Sequence, residues 1–211
     1  MLSRERILKA LNHEEADRIP IHDAPWPATI KRWREEGLPT DVSPVEHFGY
    51  EIIRLGADTT PRCPVKVVEE DAEYVVTTTP FGGLRRNHKD YSTTPEILDY
   101  PCKNRADWEK LKERLIPHRD RVDWEGTWFD ETAQDERGEE SIMEADRVEW
   151  RRGLPGCRKA REDGVFVTYR AVVGYDKIQH YVATEQLLMT IATDPEWVRD
   201  MYETDATLAI E

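Results

Sequence analysis

Apolar residues recur at helical spacing over several stretches of the chain. Ile7, Leu8 and Leu11 fall on one face after Ser3, an N-cap residue, and the run closes at His13 and the acids beyond it, which predicts a first helix. Ile30 and Trp33 mark a second helix over Ala28 to Glu36, between Pro27, suited to a first helical turn, and Gly37, which ends it. Ser43 and Pro44 open a short third, and Trp108, Leu111 and Leu115 line a fourth. Helical pattern runs from Ile142 to about Arg152, resumes after a break at Gly153 to Gly156, reaches Glu162 and stops at Gly164. It returns in KIQHYVATEQLLMTIATD, with Leu187, Leu188 and Ile191 apolar, and starts again at Pro195.

Between these lie strand signals. Arg18 to His22 alternates and is rich in β-formers, with Asp23 and Pro25 as breakers, so it reads as a short strand whose end carries His22 and Asp23. Residues 50 to 57 read as a second strand. Residues 165 to 176, VFVTYRAVVGYD, are continuous and β-branched in the manner of a strand buried on both faces. From Val65 to Asn87, β-branched runs broken at Asp71-Ala72 and Gly82-Gly83 predict an antiparallel meander of three strands, an insertion over residues 65 to 90. Tyr91 to Pro101 reads as a loop, and residues 118 to 141 as an acidic, exposed one. Helices alternating with buried strands argue for an α/β fold.

Charge and cysteine usage narrow the class. In 211 residues, 43 acidic side chains against 30 basic ones leave a formal charge of −13, and no basic stripe with interleaved aromatics marks a nucleic-acid face. Cys63, Cys102 and Cys157 are too few for a disulfide framework and are not spaced as zinc pairs, so they read as reduced thiols of a cytoplasmic protein. No stretch approaches the roughly 18 apolar residues of a membrane span. The last residues, DPEWVRDMYETDATLAIE, keep helical spacing with no Gly or Pro to close the helix, which predicts a fragment of a longer protein.

Several residues stand where chemistry is often placed. Asp58 follows an apolar run, Ile52 to Leu55, through Gly56 and Ala57. It fits a turn carboxylate bonded to the amides of Thr60 or its neighbours, and equally a strand-end catalytic acid of a barrel. His22 and Asp23 fit either a loop and helix entry or a cleft. Arg62 faces either solvent or an anion. Arg170, read as lying inside a strand, must pair with an acid or point into a cleft. Tyr175 follows Gly174 at that strand's end, with Gln179 and His180 a turn further on. His22, Asp23, Asp58 and His180 together have donors suited to zinc, iron or manganese, although no spacing requires it.

Three stretches resemble the uroporphyrinogen decarboxylase-like family: SRERILKALNHEEADRIPI, FGYEIIRLGAD and ATDPEWVRDMYE. The second is similar to the family segment in which Phe-Gly-x-Asp precedes a strand ending in Asp, and the third to its Asp-Pro-Glu helix start. The resemblance implies an N-terminal part of a (β/α)8 TIM barrel over residues 1–211, with Asp58 at the catalytic position. In that family the Asp binds the pyrrole N–H groups of a tetrapyrrole and steadies positive charge as each acetate leaves as carbon dioxide, without a cofactor. His22, Asp23, Arg62, Arg170 and Tyr175 would then line the substrate.

The chain departs from the family pattern at one motif. Decarboxylases carry Met-Arg-Gln-Ala-Gly-Arg after the first strand, whereas Pro25 and Thr29 stand here where an ungapped match puts those arginines. The same superfamily holds corrinoid-dependent methyltransferases, in which a zinc-bound thiol accepts methyl from a cobalamin. Their zinc ligands, one His and two Cys, lie in the second half of the barrel, and the three cysteines here match none of them. This second reading implies zinc, a corrinoid and a methylated substrate. The associated partners are a homodimer mate or a corrinoid protein. A third reading is a barrel piece without activity of its own, since open strand edges aggregate or borrow a partner.

Overall fold

The computed structural model describes residues 1–23, 25, 27–90, 93–122, 124–125 and 153–211. In chain order its elements are α1 (Ser3–Leu11), α2 (Pro27–Glu35), α3 (Pro44–Phe48), β1 (Ile52–Leu55), β2 (Val67–Glu70), β3 (Tyr74–Thr78), β4 (Leu84–His88) and β5 (Glu96–Asp99). They continue with α4 (Arg105–Lys112), a 3-10 turn (Arg119–Arg121), α5 (Gly153–Glu162), β6 (Phe166–Tyr169), α6 (Tyr175–Ile178), α7 (Thr184–Thr193) and α8 (Pro195–Ile210). The architecture is α/β, with one parallel and one antiparallel sheet. Among the described residues no helix is long and apolar enough to cross a membrane. The helix read over Ile142 to Arg152 and most of the acidic stretch, from residue 126 on, lie outside the described residues.

The chain divides into two compact units, the first comprising Met1–Gly56 and Val122–Arg170. Its sheet is the parallel pair β1 and β6, with Ile52 opposite Phe166 and Leu55 opposite Tyr169. Ile53, Leu55, Val165 and Val167 pack with Cys157 and Ala160, so α5 covers one face. β6 is therefore half-buried, not buried on both faces as its sequence suggests, and it ends at Tyr169. α1 starts one residue earlier than its Ser3 cap suggests: Leu2 is the N-cap, and its N–H is taken by the Glu5 carboxylate at 3.1 Å. α3 behaves as read, since Ser43 Oγ accepts the Glu46 N–H at 3.1 Å and Gly49, at φ 65°, turns the chain toward β1.

Arg18 to His22 is not a strand. Pro20 has no N–H to offer a ladder, and the backbone of Ile21 bonds both ways to Glu51 alone: its N–H to Glu51 Oε2 at 2.7 Å, its carbonyl from the Glu51 N–H at 2.9 Å. Glu51 is 1% exposed, and its carboxylate also takes Arg6 and, at 3.0 Å, Arg18. Burial pushes the Glu51 carboxyl up, but the Ile21 amide and the two arginines bring it below its ordinary value.

The second unit comprises Ala57–Arg121 and Ala171–Glu211. Its antiparallel sheet has the order β2-β3-β4-β5, one strand more than the sequence suggests. The Asp71 side chain makes the first turn by accepting the N–H groups of Glu73 and Tyr74, each at 2.7 Å. The second turn needs glycine: a Cβ on Gly83 would lie 2.6 Å from the Asp99 carbonyl, the backbone of β5. Glu96–Asp99, read as loop, becomes a strand because β4 is available to pair with it.

Trp108, Ile178, Tyr181, Leu187 and Met201 are fully buried and form the core of this unit. The helix read as continuous from Lys177 is split into α6 and α7, with Tyr181 and Val182 buried in the turn between them. Lys177 Nζ lies 2.9 Å from Asp205 Oδ1, both side chains being almost wholly buried, and Tyr181 donates its hydroxyl to the same oxygen at 3.1 Å. Burial lowers the Lys177 pKa and raises that of Asp205.

Breaking such a pair strands a charge, whereas removing both partners does not. Lys177→Met should therefore cost about 3–5 kcal/mol in urea unfolding, and Lys177→Met with Asp205→Leu should recover most of it. A single variant as stable as the wild type would show that the pair carries no such cost.

Candidate functional site

The carboxylate of Asp58 lies three residues beyond β1 in a turn that its own side chain builds. Oδ1 accepts the Thr60 N–H at 3.0 Å and the Thr60 hydroxyl at 2.7 Å, and Oδ2 accepts Arg62 Nε at 2.7 Å. The predicted turn bond to Thr60 is present, and Asp58 and Arg62 are brought together. Burial raises the Asp58 pKa, but the bonds from Thr60 and Arg62 outweigh it and hold the group below its ordinary 3.8. Its side chain keeps 26% exposure, so it is both charged and reachable. Three bonds occupy three of the roughly four acceptor positions of a carboxylate, leaving capacity on Oδ2.

Arg62 sits at φ 54°, a left-handed conformation that costs a non-glycine residue about 1–2 kcal/mol. Its guanidinium offsets this with bonds to Asp58, to Asp120 Oδ1 at 2.9 Å and to the Asp120 carbonyl at 2.8 Å. Asp120 in turn meets His118 Nδ1 at 2.9 Å.

Beneath the turn lies Arg121, a residue that sequence reading did not single out. It is 6% exposed and bonds four carbonyls: Asp58 and Thr60 at 2.8 Å, Ile116 at 2.9 Å and Arg114 at 2.6 Å. Its own carbonyl accepts the Asp58 N–H at 2.7 Å. One planar guanidinium thus fixes both ends of the Asp58 turn against the segment before the 3-10 turn. Nothing in the sequence around Arg121 signals this, because every partner is backbone. Lys177 also feels the charges of Asp58 and Arg121.

Tyr175, in the same unit, opens α6 and packs against the core. His180 stacks on Phe81 with ring centroids 4.7 Å apart. In the first unit, His22 meets the edge of Tyr50 at 6.1 Å, and burial with the charge of Arg54 holds its imidazole below the ordinary value, Asp23 acting the other way. Arg170 is not inside a strand: it follows β6, is exposed, and donates its N–H to the Leu55 carbonyl at 2.8 Å. Among the described residues no group of three or more His, Cys, Asp or Glu is arranged to hold a metal ion. Cys102 is fully buried, and burial pushes its thiol up to about 12.

Comparisons with protein-family models, with curated proteins and with solved structures return no match.

Two measurements follow from the Asp58 turn. Because the native pKa lies below the unfolded one, Asp58 contributes stability that is present above pH 3.8 and lost as pH falls through the native value. Asp58→Asn should flatten this part of the acid limb in urea titrations between pH 2 and 5, roughly the range over which aspartates titrate, and an unchanged limb would show that Asp58 is not the group responsible. Arg121→Lys keeps the charge but loses the fork, so the carboxyl 13C titration of Asp58 should move up toward 3.8. A titration identical to wild type would mean that Arg121 does not hold the turn.

Proposed function

We propose that the chain contributes the first strands of a uroporphyrinogen decarboxylase-like barrel and that Asp58 is its catalytic carboxylate. The observation that carries this reading is an ionised, accessible Asp58 three residues past the end of a parallel strand, with acceptor capacity left on Oδ2. Parallel pairing of β1 with β6 is the neighbour relation that adjacent barrel strands require.

The chemistry asked of Asp58 suits its environment. A tetrapyrrole presents N–H donors, and an acceptor-only group facing them strengthens as the ring becomes cationic. Loss of carbon dioxide from an acetate arm leaves electrons that a proton captures, giving a methyl group. Asp58 need not change protonation state during this sequence; its low pKa keeps it anionic throughout. Arg121 and Thr60 hold it in place, and Arg62 moderates its charge.

Methyl transfer from a corrinoid is the second reading, favoured by Pro25 and Thr29 standing where the decarboxylases have arginines. A zinc-bound thiolate would be the acceptor in that chemistry.

The test is turnover by the intact encoded protein on uroporphyrinogen, followed by the count of carboxyl groups in the product. Asp58→Asn should fold with an unchanged circular dichroism spectrum and lose about two orders of magnitude in kcat, the scale of removing one transition-state electrostatic group. Full turnover by that variant would refute the role of Asp58. Methylation of a thiol by methylcobalamin, with no decarboxylation, would replace the first reading by the second.

A further inference from the structure

The guanidinium of Arg62 is shared between two acids of the second unit. Its Nε donates to Asp58 Oδ2 at 2.7 Å, while both amino nitrogens go to Asp120, one to Oδ1 at 2.9 Å and one to the main-chain carbonyl at 2.8 Å. The backbone behind it is fixed in the left-handed region at φ 54°, with the Arg62 N–H on Thr60 Oγ1 at 3.2 Å. The fork, the part of a guanidinium that matches both oxygens of a carboxylate, is therefore turned toward Asp120, and Asp58 receives a single bond from the edge. The other charged and titratable groups around the pair are Arg121, which Arg62 repels, and His118, whose Nδ1 meets Asp120 Oδ1 at 2.9 Å.

We propose that Asp120 is a positioning residue: by holding the fork of Arg62, it keeps one acceptor position of Asp58 Oδ2 open to the substrate. This rests on the reading of Asp58 as the catalytic carboxylate. Asp58 and Arg62 are four residues apart, and a bidentate pairing is the strongest that an arginine makes with a carboxylate. In that pairing the fork would cover both carboxylate oxygens. Added to the Thr60 N–H and hydroxyl on Oδ1, it would fill the roughly four acceptor positions of the group, and a pyrrole N–H would find none free. Asp120 prevents this with two oxygens, its carboxylate competing with that of Asp58 and its carbonyl taking the second amino group. The Asp120 side chain is 59% exposed, so its removal leaves no hole in the core and its effect on Asp58 is read in a folded protein.

The carboxyl 13C titration of Asp58 reads this geometry without substrate. Asp120→Ala and Asp120→Asn remove the same charge, but the Asn side-chain oxygen still accepts from Arg62. In Asp120→Ala the freed fork closes on Asp58, so its titration should move to lower pH than in the wild type, and Asp120→Asn should move it less. Combined with Arg62→Gln, the Ala and Asn variants should no longer differ, because no fork remains to be released. With uroporphyrinogen as substrate, Asp120→Ala should lower kcat/KM about tenfold or more, the scale of one lost hydrogen bond to a charged group, and Asp120→Asn less.

An Asp58 titration that moves up in Asp120→Ala would show that Asp120 only stiffens the turn, and equal movement in the Ala and Asn variants would show that it acts through its charge. Either result, or no movement at all, would overturn the positioning role. Unchanged kcat/KM in Asp120→Ala, in a protein that loses turnover with Asp58→Asn, would overturn it too and leave the role of Asp58 intact. Titrations that move as stated, in a protein that does not decarboxylate uroporphyrinogen, would uphold the hold of Asp120 on Arg62 and refute the decarboxylase-like reading.

Discussion

A carboxylate that stays ionised while partly buried is the constraint around which the Asp58 segment is built. Burial alone would raise its pKa, and the donors that outweigh it, Thr60 and Arg62, lie within four residues of chain. That compact arrangement forces Arg62 into a left-handed backbone, which persists because Asp120 and Asp58 bond its guanidinium. Arg121 then makes the turn part of the unit's interior by tying its carbonyls to those of Arg114 and Ile116.

Charge is handled in the same way elsewhere. Glu51 is buried at the start of β1 and is satisfied by one amide and two arginines, which fastens the segment before it without a strand. Lys177 and Asp205 are buried as a pair, with Tyr181 as a further donor.

The elements that could be read from the sequence are those whose signals are local. Ser43-Pro44 with Gly49, Asp194-Pro195 and the apolar run of β1 each carry their own start or stop, and the structure places elements there. Asp58 was legible as a turn residue for the same reason, since its partner is two residues away. The misreadings involve distant partners. Arg18 to His22 alternates like a strand but bonds to Glu51, about thirty residues on, through a side chain. β5 looks like loop until β4 lies beside it. Arg121 carries no signal because carbonyl partners leave no trace in residue types.

The proposed role of Asp58 requires that it meet pyrrole nitrogens. A crystal structure of the intact protein with a bound tetrapyrrole measures this directly, through the distances from Asp58 Oδ2 to the ring nitrogens. The account predicts at least one within normal hydrogen-bond distance, about 2.7–3.2 Å, with the Thr60 bonds to Oδ1 retained. A tetrapyrrole bound with its nitrogens turned away from Asp58, which keeps only Thr60 and Arg62 as partners, would contradict it.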